Sequence, residues 1–162
     1  MMLRTTLYNT EVHPGIAVFS PQDESKRSIL RVDEERHILA GAFESCGAVL
    51  LRGFDVRSVA DFDAFLGAWG GQRMDYVHGS TPRSELHDKI FTSTEYPATE
   101  VIPLHNENSY QARWPLQIIL CCITPSESGG QTPIGNMSEV GRLIPGELWS
   151  ELKEKGRSEE RR

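Results

Sequence analysis

Residues 115–125, PLQIILCCITP, set the firmest limit on what this chain can fold into. The run carries no charge and ends at a proline on each side. As a strand it puts Leu116, Ile118, Leu120 and Cys122 on one face and Ile119, Cys121 and Ile123 on the other. A segment apolar on both faces needs cover on both, so the expectation is a buried strand inside a sheet. It is far too short to cross a bilayer, and no window of the chain approaches the ~20 apolar residues that crossing needs.

Two helices are expected ahead of that strand. RVDEERHILAGAFESCG (residues 31–47) repeats apolar residues at helical spacing through Ile38, Leu39, Ala42, Phe43 and Cys46, and Gly47 supplies the left-handed stop. SVADFDAFLGAWGG (residues 58–71) opens on Ser58 with Asp61 three residues on, a variant of the capping box. Phe62, Phe65, Leu66 and Trp69 form its apolar stripe, read as core packing, and Gly70 and Gly71 close it. Between the two, AVLLRGF reads as a short strand buried on both faces. Beyond the long strand, PIGNM reads as a weak strand. SEVGRLI and PGELWSELKEKG read as helices, the second begun by Pro145 and ended by Gly156. Residues 1–30 are polar and turn-rich. Helices followed by strands and turns point to an α+β fold with a sheet-dominated core. The expected organisation is one domain over 1–156 and a charged tail over 157–162.

The overall balance excludes some partners. The 162 residues carry a formal charge of −6 with scattered positive residues, which gives no electrostatic basis for binding nucleic acid or an anionic membrane. No apolar signal region opens the chain, so the expected location is cytoplasmic. Cys46, Cys121 and Cys122 are an odd count with two adjacent members, which reads as small buried hydrophobes in a reducing compartment.

A long polar stretch, residues 72–103, separates the second helix from the apolar run, with only KIFTS strand-like. Loops of that length usually have a function. It closes on PLHNENSYQARWP, where His105 and Glu107 sit two residues apart between prolines. In extended backbone, i and i+2 point to the same side, so both side chains project together. Imidazole nitrogen with carboxylate oxygen suits divalent iron, zinc or manganese. A lone His-x-Glu pair is ordinarily a solvated surface pair. The stiffening prolines, the adjoining buried strand and the long loop raise the metal alternative. His13, His37, His78 and His87 lie outside the pattern and read as solvated.

FTSTEYPATEVIPLHNENSYQARWPLQIILCCITPSESGGQTPIGNM resembles the metal-binding core of the TauD/TfdA family of iron(II)- and 2-oxoglutarate-dependent dioxygenases, in its clavaminate-synthase-like and SyrP-like branch. TSTEYP, LHNENSY, WP and GGQTPI occur there in this order, and GAVLLRGF and STPR fit the family's N-terminal part. The resemblance covers most of residues 40–150. It implies a double-stranded β-helix, or jelly roll, with flanking helices. It also implies iron held by a 2-His-1-carboxylate triad, with His105 as the first histidine and Glu107 as the carboxylate. By register, Thr132 matches the threonine that helps hold the distal carboxylate of 2-oxoglutarate. Arg83, Thr94, Glu95 and Asn108 fall in segments that line the substrate side. The implied substrate is an amino acid or similar small polar molecule, free or tethered to a carrier protein, and the implied reaction is hydroxylation.

The same resemblance implies a distant histidine and a following arginine for 2-oxoglutarate, in a chain about twice as long. No histidine follows His105 here, and Arg142, Arg157, Arg161 and Arg162 stand outside the family's arginine context. The expectation is therefore a partial jelly roll that is a weak catalyst or none by itself. Its open sheet edges would favour self-association. The competing expectation is a non-catalytic remnant.

Overall fold

The computed structural model describes residues 8–13, 15–76, 82–93, 95, 97 and 99–156. They fall into two compact units. One is drawn from Met1–Glu100 and Ile119–Gly130, the other from Val101–Ile118 and Gln131–Arg162.

The first unit is built on a hairpin that the polar N-terminal composition concealed. Strand β1 (Tyr8–His13) runs antiparallel to β2 (Ile16–Pro21), with Tyr8 opposite Pro21 and His13 opposite Ile16. Gly15, at φ 78°, lies in the reversal between them, a backbone state glycine takes without a Cβ clash. Along β2 the alternate residues Ala17 and Phe19 are fully buried, the period-2 pattern of a strand with one face on the core. Strand β3 (Val49–Leu51) pairs parallel to β2, with Ala17 opposite Val49 and Phe19 opposite Leu51. It is half-buried at the end of the order β1-β2-β3, not buried on both faces as its apolar composition suggested.

Joining β2 to β3 are two 3₁₀ turns, Glu24–Lys26 and Ile29–Asp33, and helix α1 (Arg36–Cys46). The expected helix is thus shorter at its start. Residues 31–33 belong to the 3₁₀ turn, while Gly47 at φ 83° ends α1 as expected. Helix α2 (Val59–Trp69) starts as its sequence dictates: the Ser58 hydroxyl accepts from the Asp61 N–H at 3.1 Å, and the Asp61 carboxylate accepts from the Arg57 N–H at 3.0 Å. Phe65 enters the core with Tyr8, Ala17, Phe19, Ile29, Val32, Leu39 and Ala42. Phe62, Leu66 and Trp69 pack against that cluster, which confirms the stripe as core.

Part of the long loop is a small hairpin, β4 (Glu85–His87) against β5 (Ile90–Phe91). Arg73 ties it to α2: its guanidinium reaches the Asp63 carboxylate at 2.7 Å and the Asp88 carboxylate at 3.1 Å.

The apolar run departs most from expectation. Residues 114–124 form no strand, and Leu116, Ile118 and Leu120 are 91%, 54% and 67% exposed. Only Ile119 packs on the core of the first unit. A strand needs a neighbour for its N–H and C=O groups, and none stands beside this run among the described residues. The cysteine expectation fails with it: Cys46 and Cys121 are half-buried and Cys122 is exposed. No closed barrel is present among the described residues. The sheets have three and two strands, so the molecule is a mixed α+β structure and not yet a jelly roll.

In the second unit, PIGNM is no strand. Asn136 caps helix α3 (Met137–Leu143), its carboxamide oxygen accepting from the N–H groups of Ser138 and Glu139. Helix α4 (Gly146–Lys155) follows Pro145 and stops at Gly156, at φ 70°. The Trp149 indole N–H donates to the Gly141 carbonyl at 2.8 Å and ties the two helices together.

Candidate metal centre

His105 and Glu107 converge. The His105 Nε2 lies 3.6 Å from a Glu107 carboxylate oxygen. Residues 107–110 form a turn in which Asn108 takes φ 54° and the Gln111 N–H donates to the Asn108 carbonyl at 3.0 Å. Exposure is unequal. The His105 side chain is 56% exposed and that of Glu107 20%, so the pair opens to solvent on the imidazole side.

The imidazole ring is held in place. His105 Nδ1 lies 2.8 Å from the Pro103 carbonyl oxygen. A carbonyl only accepts, so Nδ1 carries a proton, and Nε2 is the ring nitrogen that a metal would take. A cation between Nε2 and the carboxylate would be bound by both. Metal–nitrogen and metal–oxygen bonds of about 2.0–2.2 Å each are compatible with that spacing. An Nδ1–H donated to a backbone carbonyl is also the usual outer support of a metal-bound histidine. The donor set fits a divalent metal of the iron type. Among the described residues no third His, Cys, Asp or Glu joins the two.

The other sequence-derived candidates are placed as follows. Asn108, the residue after Glu107, is buried, 8% exposed. Thr132 is exposed on an irregular stretch, not on the returning strand expected for it. Its segment does pass the histidine segment, since a Cβ added to Gly135 would stand 3.3 Å from Leu104 Cδ1. Arg83 and Glu95 belong to the first unit. The Arg83 guanidinium lies 4.6 Å from the Tyr76 ring centroid. Glu95 accepts hydrogen bonds from the Thr92 hydroxyl at 2.8 Å and the Ser84 hydroxyl at 3.0 Å. Those bonds hold its carboxyl below the usual glutamate range, Thr92 contributing more than Ser84. Thr94 and His78 lie outside the described residues. His13, His37 and His87 are exposed, as expected. Sequence reasoning missed the Pro103 carbonyl, the Asn108 turn and the Gly135 approach. Only the second left a signal: an asparagine directly after the carboxylate, the non-glycine residue most tolerant of positive φ.

Comparison with known proteins shows the family. The model of the taurine catabolism dioxygenase TauD, TfdA family matches residues 14–159. The chain belongs to the TauD/TfdA family. Members are 2-oxoglutarate-dependent dioxygenases that use iron(II). A clavaminate synthase-like protein of Arabidopsis thaliana is 34% identical over 103 residues, 64% of this chain and 31% of that protein. The dapdiamide synthesis protein DdaC of Enterobacter agglomerans is 31% identical over 146 residues, 89% of this chain and 43% of that protein. The chain therefore spans less than half the length of these TauD/TfdA relatives. No helix among its described residues is long and apolar enough to cross a membrane.

Proposed function

We propose that this chain supplies the His-x-Glu half of the iron(II) centre of a 2-oxoglutarate-dependent dioxygenase, with His105 and Glu107 as ligands. The observation that carries this is the convergence of His105 Nε2 and Glu107 at 3.6 Å, with Nδ1 engaged by Pro103. Bound iron and 2-oxoglutarate supply the oxidising power for hydroxylation of a C–H bond. The residues of the chain hold and orient: the Pro103 carbonyl accepts from the imidazole Nδ1–H and fixes the ring, and Glu107 supplies the carboxylate beside Nε2. Thr132 is assigned to the distal carboxylate of 2-oxoglutarate, supported by its register after Gly129–Gly130 and by the passage of Gly135 beside Leu104. Arg83, Thr94, Glu95 and Asn108 are assigned to the substrate side by family position.

The proposed substrate is an amino acid or similar small polar molecule, free or carried on a carrier protein, turned over in the cytoplasm. The name of the DdaC relative, a dapdiamide synthesis protein, supports a biosynthetic setting. Residues 1–156 are proposed to be one part of a jelly-roll domain, with 157–162 as a charged tail. No histidine follows His105 in these 162 residues, so no second histidine ligand is assigned within them.

Succinate formation under iron(II), 2-oxoglutarate and O₂ tests the proposal. By itself the chain is expected to bind iron(II) weakly and form little succinate, with iron binding lost in His105→Ala and Glu107→Ala. Binding that is unchanged in both variants would refute the assignment. Robust turnover by the monomer would show that other residues complete the site.

A further inference from the structure

We propose that the cleft beyond the carboxyl ends of β2 and β3 binds a small molecule through an oxyanion, a carboxylate or a phosphate, held by Arg52 and Arg27. The cleft has a volume of about 510 Å³ and is formed by residues 20–24, 27, 52 and 53. All of them belong to the first unit, whereas His105 and Glu107 belong to the second.

Strand direction creates the cleft. β2 and β3 run parallel, with Phe19 opposite Leu51, so both chains leave the sheet at the same end. The Arg52 N–H donates to the Phe19 carbonyl at 2.9 Å and carries the pairing one residue past β3. Gly53 then takes φ 82°, and a Cβ there would stand 3.6 Å from Pro21 Cδ, so the two exits stay close together. The crevice outside the carboxyl ends of parallel strands is where open sheets ordinarily take ligands, because the departing loops supply the side chains.

Charge decides what fits. Asp23, Glu24, Arg27 and Arg52 line the cleft. Both acids are engaged within their own turn. The Asp23 carboxylate accepts from the Ser25 N–H at 3.0 Å and lies 3.6 Å from the Lys26 ammonium. The Glu24 carboxylate lies 2.8 Å from one terminal nitrogen of Arg27, and a guanidinium has five N–H donors, so Arg27 keeps donors for a second acceptor. No ion pair or hydrogen bond from the described residues engages the Arg52 guanidinium. An oxyanion takes paired N–H bonds from a guanidinium and offsets the charge of both arginines.

The test titrates inorganic phosphate, and separately malonate, into the intact nitrogen-15-labelled chain. Sodium chloride holds the ionic strength constant, and the Arg52 Nε–H and Gly53 N–H resonances are followed. Both resonances are expected to shift along a saturating curve with at least one probe. Saturation with phosphate alone assigns a phosphate ester, with malonate alone a carboxylic acid, and with both an oxyanion of either kind. Arg52→Gln, read at the Gly53 N–H, is expected to weaken binding about tenfold, the loss of one charge-assisted contact. Circular dichroism melts check that the variant folds. Should it not fold, Arg52→Lys keeps the charge, loses the fork and is expected to bind about threefold more weakly. Arg57→Gln, at an exposed arginine outside the cleft that pairs with Asp55, is expected to stay within about twofold of the parent chain. Shifts that fail to saturate with both probes would overturn the proposal. So would equal affinity for the parent and the Arg52 variant, or an equal loss in Arg57→Gln, because general surface charge would then attract the anion.

Discussion

Glu95 shows how a single exposed carboxylate can organise a loop. Its two hydroxyl donors, Thr92 and Ser84, come from the two flanks of the β4–β5 hairpin, and the Ser84 N–H also donates to the Thr92 hydroxyl at 2.9 Å. Hydroxyl donors favour the charged form, so the folded carboxyl titrates below its unfolded value. The sign follows: a depressed carboxyl stabilises the hairpin base at all pH above the unfolded value and loses that contribution as pH falls through the folded one. Carbon-13 NMR of Glu95 is expected to show a midpoint below that of ordinary glutamate, and Thr92→Val should raise it. A midpoint unmoved by Thr92→Val would mean that the bond is not formed in solution. For a residue assigned to the substrate side, this bonding matters, because a carboxylate engaged by two hydroxyls is already oriented.

Among the elements, α1 and α2 were the most legible in the sequence, because local signals and core packing agree there. Leu39 is 1% exposed and sits at the centre of the cluster around Phe19. Leu39→Ala is expected to cost about 2–5 kcal/mol, read as a lower denaturant midpoint with an unchanged slope. A change under about 1 kcal/mol would mean that the site collapses around the gap or that the helix packs elsewhere. The N-terminal hairpin was not legible, since only Tyr8, Ala17 and Phe19 mark its inner face and apolar residues also point outward, Val12 at 61% exposure, which blurs the period-2 pattern. The run LQIILCCI failed in the opposite way. Its composition is that of a strand, but pairing is a property of two segments, and one segment's composition does not supply the second. At the site, the His-x-Glu spacing was legible, and the Pro103 carbonyl that holds the imidazole was not, because a backbone contact leaves no mark in residue types.

At the scale of the whole molecule, exposed apolar residues decide behaviour. Leu116, at 91% exposure, and Ile118 lie in a chargeless stretch with strand composition, a combination that invites pairing between chains. Sedimentation velocity is expected to show concentration-dependent self-association, and Leu116→Lys with Ile118→Lys should reduce it. A parent chain that stays monomeric at high concentration would contradict this. The stretches matched to the two relatives make up 31% and 43% of those proteins. The central claim, that His105 and Glu107 hold iron, has one most direct test: anomalous scattering at the iron edge from crystals grown anaerobically with iron(II). The expected result is a peak within bonding distance of His105 Nε2 and a Glu107 carboxylate oxygen, absent in crystals of Glu107→Ala. An iron peak at other residues, or none at this pair in well-ordered crystals saturated with iron(II), would contradict it.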